Sequence, residues 1–385
     1  GATHYKTFGT KSLDPNSPSF DEPLSVDTCM WFASCAKLMT AIAALQCVER
    51  GLLSLDDDIS TVLPEWKERE ILRGFDETTG EPILNKTEGK ISLRMLLTHS
   101  SGLGYAMIDP DFAKYIKYRV QRGLKIRSEW LCPDETVPLM FEPGTDWRYG
   151  IGTDWAGRMI ERVTGLSLGG FMDQNIWQPL GMTSTSFRLA ERPDIRALKA
   201  DMSQRGADDT LQPSPVPFFP EDAPTDHGGA GVFTCTRDFI KVLAACVDGD
   251  PKLLTPASWD LLCEPSLPAA SAAKFQEMRT AMYAAADAAA EAAGSSRMAI
   301  PAPARLSWAL GGMLALEDVP GGRRAGSISW GGLPNLSWVV DRASGVALFY
   351  ASQLLPPGDK LTAQVVRLLE GEVYSGSYFN DVKSV

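Results

Sequence analysis

The sequence predicts an α/β fold of the α+β kind: an antiparallel sheet flanked by helices, with a mainly helical domain inserted. Three observations lead there. Ser327-Ile-Ser-Trp330, Leu336-Ser-Trp-Val-Val340 and Val346-Ala-Leu-Phe-Tyr-Ala351 are β-rich runs separated by Gly332-Leu-Pro-Asn335 and Asp341-Arg-Ala-Ser-Gly345, the pattern of an antiparallel meander. Residues 1–33 read as strand segments around a polar loop from Asp14 to Pro23. Between these ends, apolar residues recur at helical spacing. One sheet built from both chain ends is therefore expected. Residues 1–55 and 227–385 would form the sheet domain and 56–226 the helical one, with the site at their interface.

The elements follow in order. Residues 35–50 are strong helix formers, apolar around most of the circumference, and Gly51 stops them; a buried helix is predicted. Leu55-Asp-Asp-Asp-Ile59 and Val62-Leu-Pro64 are short apolar pieces among turns. Residues 73–90 are polar and glycine-punctuated, a loop or hairpin. Ser92 caps a short helix over 93–98, which Ser100-Ser-Gly102 ends. Apolar residues at 155, 156, 159, 160 and 163 predict a helix from Thr153 to Thr164 with Gly165 as its stop. A short helix over 168–176 precedes a proline-rich excursion over 191–226. Thr236 opens a helix to Val247, and Thr255-Pro256 opens another. Residues 265–305 are alanine- and proline-rich, with a surface helix in their middle. An amphipathic helix over 359–374 closes the chain.

With 385 residues and 44% hydrophobic content, the chain can bury a large core. Its formal net charge of −11 disfavours nucleic acid and anionic membrane as partners. The basic cluster Lys114, Lys117, Arg119, Arg122, Lys125 and Arg127 reads as a solvated helix face. No run reaches membrane-span length and the start has no signal-peptide pattern. Gly1-Ala-Thr-His-Tyr5 is already strand-like, so an earlier stretch of chain is expected before it. Seven irregularly spaced cysteines point to a reducing compartment, the cytoplasm, rather than a disulfide framework. Three histidines without metal spacing leave no expected metal or cofactor.

Three distant segments carry chemistry: Ser34-Cys-Ala-Lys37, Tyr149-Gly-Ile151 and Trp330-Gly-Gly332. They supply a nucleophile, two candidate bases and a glycine strand able to help hold an oxyanion. At i and i+3, Ser34 and Lys37 share one helix face, so the amine can reach the hydroxyl. At a helix start, Ser34 can offer its own N–H to a developing oxyanion. The alternative is a capping serine beside a snorkelling lysine. Tyr149 is either a core aromatic or a proton-shuttling phenol. His99, at a helix end, reads as structural. The second S-x-x-K, Ser271 to Lys274, has no partner motif. Gly165-Leu-Ser167-Leu-Gly169 imitates a hydrolase elbow but follows a helix, and His227-Gly-Gly-Ala-Gly231 lies on the wrong side of it for an oxyanion loop.

These residues, in this order and rough spacing, resemble class C β-lactamases and their esterase and transesterase relatives. Leu96-Leu-Thr-His-Ser-Ser-Gly102, Glu142-Pro-Gly144 and Gly228-Gly-Ala-Gly231 extend the likeness. Longer stretches, such as Ala33-Ser-Cys-Ala-Lys-Leu-Met-Thr40 and Lys90-Ile-Ser-Leu-Arg-Met-Leu-Leu-Thr-His99, are similar to the fungal lovastatin-acyltransferase branch. The resemblance implies a β-lactamase/transpeptidase-like fold and an acyl-enzyme on Ser34. Lys37 and Tyr149 would manage protons, and the N–H groups of Ser34 and Leu333 would form the oxyanion hole. Trp330, Gly331 and Gly332 would line the substrate site.

The implied activity is transfer of an acyl group from a thioester or ester, either a small molecule or one borne on an acyl carrier protein, to a hydroxyl of a polyketide-like secondary metabolite. An esterase or lactonase using water is the alternative, and an inactive binding module a more distant one. Two departures disfavour β-lactams: Trp330 stands where the β-lactamase K-T-G motif has lysine, and Ile151 where Y-x-N has asparagine. Leu333 replaces a glycine of the lovastatin branch, so that branch's acyl preference does not carry over.

Overall fold

The computed structural model describes residues 2–123, 137–214, 219–292 and 304–376, with 283–292 described as backbone only. Strand β1 (Met30–Trp31) runs into a 3₁₀ turn at Ala33–Cys35 and then into α1 (Ala36–Glu49). Every residue of α1 from Ala36 to Cys47 is buried, as its lack of a polar face requires. Gly51 follows at φ +67°, the left-handed conformation that ends a helix.

The hairpin expected after residue 73 forms slightly earlier, from β2 (Glu70–Phe75) and β3 (Pro82–Lys86), with a bulge between Leu72 and Gly74. Helix α2 (Leu93–Leu97) is capped by Ser92, whose Oγ accepts the Met95 N–H at 3.3 Å. Then come α3 (Pro110–Gln121), α4 (Gly152–Thr164), α5 (Leu168–Met172), α6 (Gln178–Leu180) and α7 (Pro193–Arg196). Gly165 ends α4 in the left-handed conformation, as its position predicts. The excursion over 191–226 is not wholly irregular. It carries β4 (Ser203–Arg205) and β5 (Leu211–Pro213), and the short β6 (Phe233–Thr234) follows.

The C-terminal part contains α8 (Thr236–Asp248), α9 (Pro256–Cys263) and α10 (Ala269–Ala292), followed by β7 (Leu306–Trp308) and β8 (Met313–Ala315). It continues through β9 (Ile328–Gly332), β10 (Leu336–Asp341), β11 (Val346–Tyr350), β12 (Leu354–Leu355) and α11 (Lys360–Ser375). The main sheet has the order β11-β10-β9-β8-β7, antiparallel throughout. Helix α8 packs on β10 and β11, and α4 and α9 pack on α1. Tyr374 of α11 donates its hydroxyl to Asp341 at the end of β10, at 2.9 Å.

Two expectations need correction. Over residues 2–33 the only strand is β1; before it stand only isolated bridges, such as Thr10 with Pro23 and Ser12 with Phe20. The cause is local. Pro15 and Pro18 donate no N–H, and Asp14 Oδ1 accepts the Asn16 N–H at 2.9 Å, so turn bonds replace a ladder. The main sheet is also not assembled from both chain ends: β7 to β11 supply all its strands, and β1 pairs with β6 in a separate ribbon. Lys125 and Arg127 of the basic cluster, and Ala293, lie outside the described residues.

Because Ile42 is wholly inaccessible in the middle of α1, truncation removes buried apolar contacts and leaves a void. Ile42→Ala is expected to destabilise by roughly 2–5 kcal/mol and Ile42→Val by about 1 kcal/mol. Urea denaturation followed by tryptophan fluorescence measures both.

Candidate active site

The site begins at a strained turn. Ala33 has φ +46°, a conformation that L residues with a Cβ seldom adopt, directly before Ser34. The 3₁₀ turn passes into α1 without a break, so Ser34 and Lys37 lie one turn apart, as their spacing predicts. Lys37 Nζ is 3.3 Å from Ser34 Oγ. The rest of that side chain points inward and the residue is only 7% exposed. Its Nζ donates to the Gly229 carbonyl at 2.7 Å and to the Tyr105 hydroxyl at 3.2 Å. Gly229 and Tyr105 therefore hold two of the amine's three donor directions and leave the third on Ser34.

One turn further along α1, Thr40 Oγ1 donates to the Gly228 carbonyl at 2.7 Å. The glycine run 228–229 thus lays its carbonyls along the face of α1 that carries Lys37. It can do so only without side chains. A Cβ on Gly229 would lie 2.6 Å from Asp154 Oδ2, and one on Gly228 would be 3.0 Å from Thr40 Oγ1. Asp154, buried on α4, fixes the same run from behind by accepting the Gly229 N–H at 2.9 Å.

Tyr149 reaches the site just before α4. Its ring lies under the lysine, with Nζ 4.8 Å from the ring centroid, and no hydrogen bond joins Nζ to its oxygen. That oxygen instead accepts the Trp330 indole N–H at 3.0 Å. Trp330 stands on β9 opposite the buried Trp338 and packs edge-on against Trp308, with centroids 4.6 Å apart. Lys37, His99, Thr153, Trp308, Gly312 and Trp330 line a narrow recess beside the amine. Gly331 and Gly332 form the end of β9. A Cβ on Gly332 would lie 2.6 Å from the Phe32 carbonyl oxygen, so β9 ends against the turn that carries Ser34, and Leu333 follows immediately.

The sequence reading missed Tyr105 and Asp154. Tyr105 is buried, and its phenol is pushed well up, first by burial and then by the charge of Asp154. It therefore stays protonated and serves Lys37 as a neutral partner. The available signal was Gly102-Leu-Gly104, a flexible pair just before an aromatic residue. Within Gly228-Gly-Ala-Gly231, part of the family resemblance, the first two glycines hold Lys37 and Thr40 through their carbonyls.

The competing motifs fall elsewhere. Ser167 caps α5, its Oγ accepting the Gly170 N–H at 3.0 Å. Ser271 is buried in α10, while Lys274 turns outward to Glu277 at 2.7 Å. Cys35, next to Ser34, is fully buried and its thiol is pushed well up by that burial, so it is no rival nucleophile. Among the described cysteines, Cys29, Cys47, Cys235 and Cys246 are also buried and free. No group of three or more potential metal ligands occurs among the described residues.

The beta-lactamase family profile matches residues 1–371. This chain belongs to the beta-lactamase family. Within it, the chain is 35% identical over 378 residues to the ML-236A carboxylate methylbutanoyltransferase of Penicillium citrinum, covering 96% of this chain and 86% of that one. It is 36% identical to the lovastatin esterase of Penicillium rubens, covering 92% of this chain and 86% of the relative. The unliganded simvastatin synthase structure from Aspergillus terreus superposes with a TM-score of 0.85 at 34% identity, covering 98% of this chain and 91% of that one. Against the β-lactamase pattern, Trp330 brings an indole N–H and no charge, and Ile151 is buried at the start of α4. Neither position offers the polar group that the β-lactamases carry there.

The contact between Gly229 and Asp154 allows a direct check. Gly229→Ala has to displace either the Asp154 carboxylate or the carbonyl that holds Lys37. Its expected cost is about 1–3 kcal/mol of stability, with a loss of turnover larger than the loss of folded protein. Thermal denaturation and steady-state kinetics on an activated ester, run on the same preparation, separate the two.

Proposed function

We propose that the chain is a serine acyltransferase that moves an acyl group from a thioester or ester donor, through an acyl-enzyme on Ser34, to a hydroxyl of a polyketide-like acceptor. The observation that carries this reading is the Lys37 amine, buried, 3.3 Å from Ser34 Oγ and tethered by the Gly229 carbonyl at 2.7 Å. A carbonyl can only accept, so one N–H is committed to Gly229. With a second N–H on Tyr105, a neutral amine directs its lone pair at Ser34.

Ser34 Oγ attacks the acyl carbonyl carbon as its proton passes to Lys37 Nζ. The N–H groups of Ser34 and Leu333 hold the oxyanion. Collapse breaks the bond to the donor's sulfur or oxygen, and that leaving group takes the proton back through Lys37 and Tyr149. The acceptor hydroxyl then gives its proton to the same relay as its oxygen attacks the acyl-enzyme, and Ser34 leaves with a proton restored. The Trp330 indole N–H, donated to the Tyr149 oxygen at 3.0 Å, holds the phenol in place during the transfers.

In this reading residues 1–55 and 227–385 contribute Ser34, Lys37 and Trp330, while 56–226 contribute Tyr149 and Tyr105 from the facing side. The aromatic lining supports a neutral, apolar acyl group and a bulky hydroxylated acceptor. The donor thioester is either a small molecule or one carried on an acyl carrier protein. The free, buried thiols support a reducing compartment such as the cytoplasm. Among the described residues, no helix is long and apolar enough to cross a membrane. The similarity to a lovastatin esterase favours a second reading, in which water replaces the acceptor alcohol and every residue keeps its role. An inactive binding module would not need the Ser34–Lys37 pair and the phenol of Tyr149 together.

Intact mass after incubation with a panel of acyl thioesters and esters tests the reading. Ser34→Ala is expected to abolish the acyl adduct and Ser167→Ala to leave it; an adduct persisting in Ser34→Ala protein overturns the nucleophile. Lys37→Ala and Tyr149→Phe are each expected to lower turnover by roughly 10²–10⁴-fold, with unchanged circular dichroism. Penicillins and cephalosporins are expected to show negligible ring opening in a spectrophotometric assay. Added polyketide-like alcohols should divert the acyl group from water, as chromatography of the products would show. Products that are hydrolysed whatever alcohol is added favour the esterase reading.

A further inference from the structure

We infer that His99 is the positioning residue of the proton relay: its main chain and its ring together clamp the segment 148–150 and so fix the Tyr149 phenol against Lys37. The inference rests on the role proposed above for Tyr149. His99 follows the last turn of α2, is 1% exposed and has φ +61°. That backbone conformation is uncommon for residues with a Cβ, and here both halves of the residue are used. Its carbonyl accepts the Arg148 N–H at 3.1 Å, and its Nδ1 accepts the Gly150 N–H at 3.3 Å. The two bonds bracket Tyr149 on either side in sequence. The imidazole also packs on the phenol ring itself, with centroids 4.6 Å apart.

The opposite side of the segment has no slack. A Cβ on Gly150 would lie 2.2 Å from the Leu103 carbonyl oxygen, so the segment runs between His99 and the backbone of Leu103. Arg148 is tied outward by its ion pair with Asp109, the N-cap of α3. A small shift of His99 therefore moves Tyr149 rather than being absorbed nearby.

The bond from Gly150 also sets the state of the ring. Nδ1 can accept only if its own proton is absent, so the neutral ring carries its proton on Nε2. Nε2 has no hydrogen-bond partner among the described residues, and His99 lines the recess that it shares with Lys37. Lys37 from α1 and Tyr149 from the clamped segment are the titratable groups against the ring. Trp147 and Trp308 of β7 close the other sides. Burial, and then the Lys37 charge, hold the imidazole well below its ordinary range, which keeps Nδ1 available as an acceptor.

Three variants of the full chain test this, assayed on an activated ester for kcat, KM and the pH dependence of kcat, with the thermal midpoint measured alongside. His99→Phe keeps the ring and removes the acceptor. His99→Asn keeps an acceptor near Nδ1 and tolerates the left-handed backbone. His99→Gln carries its amide one carbon further out, away from the Gly150 N–H. The expected result is a fall in kcat of about 10–100-fold in the Phe and Gln variants, with KM changed less than about threefold and a displaced pH profile. The Asn variant should regain most of the loss. If the Phe variant does not fold, the Asn and Gln pair decides by the same criterion.

Folded Phe or Gln protein with wild-type kcat and pH profile overturns the inference. So do losses that follow the thermal midpoint equally in all three variants, since that is a merely structural role. Tyr149→Phe, run in parallel, keeps the two ideas apart. A normal rate in that variant sinks the role of Tyr149. A crippled Tyr149→Phe beside a normal His99→Phe sinks only the clamp. In the Tyr149→Phe background, adding His99→Phe should cost less than about twofold, because the group being positioned is already gone.

Discussion

The bond from Lys37 Nζ to the Gly229 carbonyl is the contact on which the rest of the site depends. An amine in a protein interior is costly unless its polar directions find partners. Here the partners come from three separate parts of the chain: the turn before α1, the segment after α2 and the glycine run before β6. Meeting that requirement brings α1, α4 and the glycine run into contact with no room for side chains between them. Asp154 completes the arrangement from the far side of the Gly229 peptide, so acid, peptide and amine form one polarised chain.

A second layer is aromatic. Tyr149, Trp308, Trp330 and His99 meet edge-on or tilted, at centroid distances from 4.6 to 6.4 Å. Such rings bury area while leaving an N–H or O–H available at their rims. The layer gives the site an apolar wall and one polar line, from the Trp330 indole to the Tyr149 oxygen. A substrate carboxylate finds no fixed cation on that wall, whereas an acyl chain finds surface throughout. In the proposed reading, the difference from a β-lactamase site is thus a change in what is recognised rather than in the nucleophile and base.

Much of this was legible in the sequence wherever local rules decide it. The Ser34–Lys37 spacing, the uniformly apolar α1, the Ser92 and Thr255 caps, the Gly165 stop and the meander over 327–351 each follow from neighbours a few residues away. What was not legible depends on distant partners. β7 and β8 are three residues each, too short for alternation to register, and exist because β8 pairs with β9 and β7 with β8. The strand character read into residues 1–33 lost to proline and to turn-forming side chains. Tyr105 carried no signature of its own, because its value lies in a hydroxyl placed 3.2 Å from an amine 68 residues away. The place of His99 at a helix end points in sequence only to a structural role; its bonds to residues on both sides of Tyr149 exist only in the folded chain.

The buried cysteines have a consequence for chemical fidelity. An enzyme that forms an acyl-enzyme from a thioester, as proposed above, faces a hazard from its own thiols, because a thiolate exchanges readily with an activated acyl group. Cys29, Cys35, Cys47, Cys235 and Cys246 are closed off from solvent, and burial raises each of their thiols; Cys29 is pushed up to about 12 and Cys47 to about 11. At neutral pH these sulfurs are protonated and out of reach of a donor. Cys35 shows the contrast most sharply: it is the residue next to Ser34, yet it faces the packed side of the turn while the hydroxyl faces the amine. Self-acylation at these five sulfurs is thereby suppressed, which in the proposed reading leaves the acyl group to Ser34.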